Sequence, residues 1–88
     1  MQIRISPKFE KNYRRLPKRV QEKAKAKESI FRRNPFDPQL KTHKLSGKDK
    51  ECWAFWITHS YRIKFIFLSN EEILFLDIGT HNNIYKGK

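Results

Sequence analysis

The chain has few of the residues that cross-link small proteins or carry them into membranes. Its 88 residues include a single cysteine, Cys52, and three glycines. One cysteine excludes an internal disulfide framework and fits a reducing compartment. The apolar runs are far shorter than the roughly 20 residues of a membrane span, and the first residues lack the apolar segment of a signal peptide. We therefore predict a cytoplasmic protein that makes no membrane contact.

Sequence motifs for cofactors and metal ions are also missing. The chain contains no glycine-rich phosphate loop. Its three histidines and Cys52 are far apart in sequence, without the paired spacing of a zinc site. We expect neither a cofactor nor a metal ion. A chain of this length supports one small domain, 1–88, which buries roughly 60% of its unfolded surface.

Acidic residues are scarce and the basic ones are unevenly distributed. Twenty Lys and Arg oppose nine Asp and Glu, which leaves a net charge of +11. Residues 1–50 carry 16 basic and 5 acidic side chains, whereas residues 51–88 carry four of each. Such a concentrated positive field attracts polyanions and speeds encounter with them. The alternative is that the charge serves solubility alone, but the uneven distribution favours a polyanionic partner.

The first 34 residues predict a strand followed by two helices. Residues 1–5 alternate in polarity as a half-buried strand does. Ser6 and Pro7 are typical of a helix start, because serine caps the first turn and proline is tolerated there. Pro17 ends this helix and begins a second one, which should run to about Asn34. The two helices are expected to form a hairpin on one face of a sheet.

The second half of the chain predicts strands joined by short turns. Three apolar segments follow: residues 52–57 and 60–67 alternate between two faces with a period of two, and residues 73–79 form a third segment. Short connections favour antiparallel neighbours, so the three segments should form a meander. The third is apolar on both faces apart from Asp77, which suggests an interior position in the sheet. A strand, a helix hairpin and a meander together make an α+β domain.

Two cations on the second meander strand are suited to holding a phosphate. Arg62 and Lys64 are two residues apart, so they share the face that points away from the core, with Trp56 and Asp77. An arginine offers a planar fork to two oxygens, and a lysine adds a point charge. The alternative is an ordinary pair of solvent-facing residues.

The histidines favour chemistry over that alternative. Cutting RNA without a metal requires a base for the 2′-OH proton and an acid for the leaving 5′-oxygen, and imidazoles titrate near neutrality. His43 precedes the first meander strand and His81 follows the third, which can put both at one end of the sheet. With Arg62 between them, they indicate an RNA-cutting site. His59, in a tight turn, is assigned a surface or capping role.

Further residues around this site are candidates for RNA contacts. Tyr85 can stack on a base or donate to a phosphate, and Trp56 can serve as a stacking platform. Equally, Tyr85 can anchor the C-terminal tail and Trp56 can cover the sheet. The predicted phosphate- or RNA-binding residues are Lys41, Lys44, Lys48, Lys64 and Trp56.

Four segments, in order along the chain, carry a family resemblance: SPKFEKNYRRLP, NPFDPQLKTHKLSG, WAFWITHSYRIKF and FLDIGTHNNIY. Together they resemble the RelE/ParE superfamily of toxins from type II toxin–antitoxin pairs, and the histidines resemble the YafQ-like messenger-RNA interferases. The resemblance implies a RelE-like β-α-α-β-β-β fold. It further implies a ribosome-dependent endoribonuclease that cuts messenger RNA in the A site and leaves a 2′,3′-cyclic phosphate.

The resemblance also implies partners and residue roles. The partners are a cognate antitoxin, the ribosome and messenger RNA, with operator DNA bound only through the antitoxin complex. His43 matches a loop histidine that acts as base or phosphate ligand, and His81 matches an acid or base. Arg62 stands where relatives stabilise the transition state, and Tyr85 where an aromatic residue orients the substrate.

Three positions depart from the pattern of active relatives. Ser60 and Trp56 stand where those enzymes can carry an acidic residue and a further histidine. Asp77 stands where the residue is often basic, and it is expected to pair with Arg62 or His81. Two alternative functions follow from the resemblance: a ParE-like inhibitor of DNA gyrase, and a catalytically weakened member that only binds antitoxin or RNA.

Overall fold

The computed structural model describes residues 1–85. The elements are β1 (Gln2–Ile5), α1 (Pro7–Arg14), α2 (Lys18–Arg33), β2 (His43–Lys44), β3 (Trp53–Trp56), β4 (Tyr61–Phe67), β5 (Glu72–Thr80) and α3 (His81–Tyr85). The predicted α+β class and its order of elements are confirmed, and β2 and α3 are additions. Residues 86–88 of the predicted domain lie outside the described residues. Within residues 1–85, no helix has the length and apolar character needed to cross a bilayer.

All five strands belong to one sheet, in the order β1-β5-β4-β3-β2. Strands β3, β4 and β5 form the predicted antiparallel meander. Strand β1 adds to it in parallel along β5, with Ile3 opposite Ile73. The short strand β2 pairs with β3 at the other edge, with His43 opposite Ala54. Strand β5 is therefore an interior strand, which accounts for its apolar residues on both faces.

The pairing of β4 with β5 contains a β-bulge. Lys64 lies opposite Asp77 and Phe65 opposite Phe75, so Leu76 is an additional residue in β5. Phe75 and Ile78 are three residues apart, yet both are buried in the same core. The bulge therefore resets which side chains of β5 face the helices.

The N-terminal capping of α1 ties that helix to the sheet. The Phe9 N–H donates to Ser6 Oγ at 3.0 Å, and the Ser6 hydroxyl donates to the Leu76 carbonyl at 2.8 Å. Pro7 occupies the first turn, where its missing N–H has no cost. The entry to α1 is thereby fixed beside the bulge.

The main core lies between the helices and one face of the sheet. Phe31 of α2 is at its centre, stacked on Phe55 with ring centroids 4.8 Å apart and edge-on to Phe65 at 5.0 Å. It is fully buried and also meets Phe75 edge-on at 5.5 Å. Aromatic contacts of these geometries add to the stabilisation from area burial alone. This core holds the sheet that presents the site on its other face.

Replacing Phe31 by alanine should destabilise the protein by about 3–5 kcal/mol, because it removes the central ring and leaves a cavity. The measurement is the midpoint of urea denaturation. The matched control is Phe36→Ala, since Phe36 is 53% exposed and its substitution should cost about 1 kcal/mol. Equal losses for the two variants would contradict the assignment of Phe31 to the centre of the core.

Candidate active site

An open cleft lies where the ends of β3, β4 and β5 meet, on the sheet face opposite the helix hairpin. Phe55 and Ile63 are paired neighbours that point into the main core, so the adjacent pair, Trp56 and Arg62, points to the other face. The cleft has a volume of about 420 Å³. The residues that line it include Trp56, His59, Ser60, Arg62, Thr80 and His81.

Arg62 is on the predicted face but it is not solvent-exposed. It is only 4% exposed, which corrects the expectation of an open fork on a solvent-facing strand. Its Nη1 donates to the carbonyls of Thr58 and His59, both at 2.9 Å, and to that of Tyr61 at 3.2 Å. The connection from β3 to β4 curls back over the strand, and the guanidinium holds it in that shape.

The buried charge of Arg62 has no counter-ion among residues 1–85. None of the ion pairs within residues 1–85 includes it. Its Nε is buried and lacks a hydrogen-bond partner among these residues. Burying a cation is costly unless it is paired, and an unmet buried donor adds to that cost. The guanidinium is therefore prepared to bind an anion that enters the cleft.

Trp56 forms one wall of the arginine site. The Arg62 guanidinium carbon lies 3.9 Å from the centroid of the Trp56 ring, and Lys41 Nζ lies 5.3 Å from the same ring. Cations over an indole face are stabilised by its quadrupole. Of the predicted RNA-binding residues, Lys41 and Trp56 are thus brought to the cleft.

Tyr85 joins the two predicted histidines. Its hydroxyl is 2.5 Å from His43 Nε2, and its ring centroid is 4.5 Å from that of His81. His43 Nδ1 is 2.9 Å from the carbonyl oxygen of Lys41, which can only accept, so Nδ1 carries a proton. With the proton on Nδ1, Nε2 can accept a hydrogen bond from the Tyr85 hydroxyl. Both ring nitrogens of His43 are occupied by these two contacts.

The short helix α3 delivers His81 and Tyr85 to the site. Ile84 is buried with 1% exposure, and it packs outside the main core on the face that bears the cleft. The His81 N–H donates to the Ser60 carbonyl at 2.9 Å, which ties the start of α3 to the β3–β4 connection. Thr80 Oγ1 accepts the Asn83 N–H at 3.3 Å and caps the first turn. His81 itself is exposed and lines the cleft.

Burial raises the pKa of the Tyr85 phenol above its ordinary value of 10.0. The nearby guanidinium of Arg62 opposes this effect, through its charge and as a hydrogen-bond donor. The phenol is consequently neutral at physiological pH and keeps its proton for donation.

Three of the predicted phosphate-binding lysines are not in the cleft. Lys64 lies 3.5 Å from Asp49, and its side chain is only 14% exposed, so its charge is used within the protein. Lys44 Nζ lies over Trp53 at 5.9 Å, on the opposite face of the sheet from His43. Lys48 is exposed on the 3₁₀ turn Gly47–Asp49. The open, solvent-facing position expected for Lys64 is therefore not found, and phosphate binding by Lys64 stays a prediction.

Asp77 does not pair with Arg62 or His81, which corrects the expectation from sequence. Its Oδ1 accepts a hydrogen bond from the Asn12 amide at 2.7 Å, and its Oδ2 lies 3.5 Å from Lys8 Nζ. These two contacts direct the carboxylate to α1 rather than to the cleft. Asp77 therefore does not neutralise the charge of Arg62.

Neither α3 nor the position of His59 at the cleft was predicted from the sequence. A five-residue helix is too short to show periodicity in the sequence. Thr80 was nevertheless a usable capping signal, because its hydroxyl can accept the N–H of the residue three positions later. His59 was assigned to a turn, and the structure places its exposed ring at the cleft, edge-on to Trp56 with centroids 5.7 Å apart. Within residues 1–85, no group of three or more potential ligand side chains is arranged to hold a metal ion.

Solved structures identify the fold. YafQ from E. coli superposes with a TM-score of 0.79 at 20% identity, over 96% of this chain and 97% of that one. The YoeB/ParE toxin from Agrobacterium tumefaciens superposes with a TM-score of 0.76 at 21% identity, over 92% and 99% of the two chains. The chain has the fold of the YafQ and YoeB/ParE toxins. The resemblance to the RelE/ParE superfamily is thus confirmed at the level of the fold.

A toxin of this fold is also solved with a partner. The E. coli DinJ–YafQ toxin–antitoxin complex matches with a TM-score of 0.77 at 20% identity, over 96% of this chain and 96% of that one. No protein-family model matches the sequence, and no curated protein is significantly similar to it. The likeness therefore rests on the course of the backbone, and the function has to be argued from the site.

The raised pKa of Tyr85 predicts how the stability changes at alkaline pH. The pKa of Tyr85 is higher in the folded protein than in the unfolded chain, so its titration does not change the free energy of unfolding below pH 10. Above that pH the unfolded chain loses the phenol proton first, and the free energy of unfolding falls until the pH passes the pKa of the folded protein. We expect the free energy of unfolding to fall less steeply above pH 10 in Tyr85→Phe than in the parent. Urea denaturation at pH 8 to 11 measures this. Identical slopes in the two proteins would show that Tyr85 titrates normally.

Proposed function

We propose that this protein is the toxin of a type II toxin–antitoxin system and that it cuts messenger RNA in the ribosomal A site. The observation that carries the proposal is the buried Arg62, which has no counter-ion among residues 1–85 and lies in a cleft with His81, whose ring contacts Tyr85. A buried cation of this kind binds the phosphate of a nucleic acid, and neighbouring imidazoles supply acid–base chemistry at neutral pH. The likeness to YafQ and YoeB/ParE supports the same reading.

Arg62 binds the scissile phosphate in this proposal. Its Nη1 is already fixed by three carbonyls, so the guanidinium is oriented before substrate arrives. Preorganised donors aimed at developing charge are usually the largest contribution to catalysis. As the 2′-oxygen attacks phosphorus, the non-bridging oxygens of the phosphate gain negative charge, and the Arg62 guanidinium stabilises that charge. Lys41 and Trp56 extend this site, with the indole available to a neighbouring base.

His81 exchanges a proton with the reacting oxygens, and Tyr85 orients the phosphate. His81 is exposed in the cleft, where its ring can reach a bound substrate. Tyr85 is held between the two imidazoles, and its hydroxyl bonds to His43. His43 acts on the substrate through Tyr85, because both of its nitrogens are engaged. The 2′-oxygen bonds to phosphorus and the bond to the 5′-oxygen breaks, which leaves a 2′,3′-cyclic phosphate.

The ribosome is the proposed platform for this reaction. The basic excess belongs to residues 1–50, which include both long helices and their exposed lysines and arginines. These helices cover the sheet face opposite the cleft, so ribosomal RNA can be bound there while messenger RNA occupies the cleft. The open shape of the cleft supplies few contacts of its own to hold and orient a strand. Docking on the ribosome would provide that orientation.

A cognate antitoxin is the proposed protein partner. The DinJ–YafQ complex provides the precedent for this fold, and the net charge of +11 suits an acidic protein. Operator DNA would be bound only through the complex of toxin and antitoxin. All of these partners are expected in the cytoplasm.

Purified protein should cut messages on translating ribosomes and leave 2′,3′-cyclic phosphate ends. The variant His81→Ala should reduce the single-turnover rate by about 10²–10⁴-fold, because it removes a proton-transfer group. Primer extension and end-group analysis provide the measurement. Ser69→Ala, in the exposed turn between β4 and β5, is the matched control and should cut at nearly the parental rate.

Intact messages in the presence of folded parental protein would contradict the nuclease proposal. A DNA gyrase supercoiling assay on the same preparation then decides whether the protein is a gyrase inhibitor. If His81→Ala cuts messages as fast as the parent, the nuclease proposal is kept but His81 is not part of the active site.

Induced expression of the protein alone should arrest growth, and coexpression of the adjacent reading frame should restore it if that frame encodes the antitoxin. The expected antitoxin is a small acidic protein, since it must cover a surface of net charge +11. Colony counts after induction measure the arrest and its reversal. Arrest by the parent but not by His81→Ala links toxicity to the cleft. Growth without arrest on expression of the parent alone would contradict the toxin proposal.

A further inference from the structure

The histidine pair expected from sequence does not meet in one solvent-accessible place. His81 lines the cleft with Arg62, whereas His43 lines a separate, smaller pocket with Tyr85 and Asp49. The nitrogens of His43 contact the Lys41 carbonyl and the Tyr85 hydroxyl. A proton shuttle needs a ring nitrogen that can reach the reacting oxygen. His43 lacks such a nitrogen in this arrangement, so the cleft needs a second imidazole from elsewhere.

The third histidine of the chain meets that requirement. His59 is exposed, and its ring lines the same cleft as Arg62 and His81. No hydrogen bond within the described part of the chain engages either of its ring nitrogens. Among residues 1–85, its only close aromatic neighbour is Trp56, which meets it edge-on at an interplanar angle of 73°. Both nitrogens are therefore available to a substrate.

The backbone fixes His59 relative to the rest of the cleft. Arg62 Nη1 donates to the His59 carbonyl at 2.9 Å, so the guanidinium that would bind phosphate also holds this residue. The Ser60 carbonyl, one residue further, accepts the His81 N–H at 2.9 Å. These two bonds connect the three positively charged or titratable groups of the cleft through a few backbone atoms. The charged groups that face His59 are Arg62 from β4, His81 from α3 and Lys41 across Trp56.

From this arrangement, and given the proposed function, we infer that His59 is a catalytic residue and the proton-transfer partner of His81. One imidazole takes the proton of the 2′-hydroxyl as the bond from the 2′-oxygen to phosphorus forms. The other, protonated, gives its proton to the 5′-oxygen as the bond from phosphorus to that oxygen breaks. One proton is taken and one is given, so the pair ends with its protonation states exchanged. Arg62 holds the phosphate between them, and Tyr85 with His43 positions it.

Kinetics on translating ribosomes test the pair directly. His59→Gln should lower the single-turnover rate by about 10²–10⁴-fold, as a lost acid or base does. The parental rate should show a bell-shaped dependence on pH, and His59→Gln should lose one limb of it. His43→Gln should cut more slowly but keep both limbs, because it acts through Tyr85. Substitution of His59 and His81 together should cost little more than either alone, since the two act as a unit.

Two comparisons separate a catalytic role from a structural one. Free imidazole in the buffer should partly restore the rate of His59→Ala, whose vacated site opens into the cleft, and it should not restore His43→Ala. The exposed Ser69→Ala in the β4–β5 turn controls for surface substitution and should match the parent. An unchanged rate and pH profile in His59→Gln, with loss of activity in His81→Ala, would overturn the inference and leave the proposed function standing.

A binding measurement without ribosomes distinguishes the failure of one proposal from that of the other. In proton NMR with uridine 3′-monophosphate as the probe, the imidazole signals of His59 and His81 should shift together and saturate at the same concentration. The His43 signals should move much less, and Arg62→Gln should abolish the shifts. If the parent binds in this way but cuts no message, the nuclease fails and His59 is still part of the anion site. A His59 signal that does not move would overturn the inference, whatever the messages show.

Discussion

The site depends on one buried positive charge. Arg62 is enclosed by the curled β3–β4 connection and the face of Trp56, and no carboxylate among residues 1–85 pairs with it. Carbonyl dipoles and the indole ring compensate only part of the cost of burying a cation. The remaining cost is offset when an anion binds, because the anion replaces the hydration that the guanidinium loses on burial. Holding the connection in place also fixes the residues that flank the guanidinium.

One face of the sheet forms the main core, and the other presents the candidate active site. On one face, the aromatic cluster around Phe31 joins both meander hairpins to α2. On the other, a smaller set of buried residues, which includes Ile84, fastens α3 beside the cleft. Dense packing on the first face resists deformation, so the strands can present polar groups on the second. A short C-terminal helix is sufficient to complete the site because the sheet beneath it is rigid.

Much of the fold was readable from the sequence, because its signals are local. Alternation over 52–57 and 60–67, the apolar segment 73–79 and the short turns between them predicted the meander, and the Ser6 cap predicted the start of α1. The prediction that Arg62 lies on the sheet face away from the main core was also correct, because side chains alternate between the faces of a strand with a period of two. The burial of Arg62 was not predicted, because it depends on how the β3–β4 connection folds back. Nothing in the residues next to Lys64 indicates that Asp49, fifteen positions earlier, neutralises it.

The candidate site shows the same limit more clearly. Antiparallel topology predicted that His43 and His81 would lie at one end of the sheet, and both rings contact Tyr85. Which nitrogens remain open to solvent depends on hydrogen bonds to Lys41 and Tyr85, and these are visible only in three dimensions. His59 was set aside for its position in a turn. A turn residue at the mouth of a cleft is, however, well placed to contact a ligand.

The bulge at Leu76 lets a single strand serve both faces of the sheet. It introduces an odd step between Phe75 and Ile78, so the strand fills the core on either side of it while Asp77 reaches α1. Deletion of Leu76 would remove the bulge and leave Asp77 opposite Lys64 and Ile78 opposite Ile63, as they are now. Deletion of Asp77 or Ile78 would instead place a different side chain at a core position. Lineages of this protein should therefore accept a lost codon at Leu76 more readily than at its neighbours in β5.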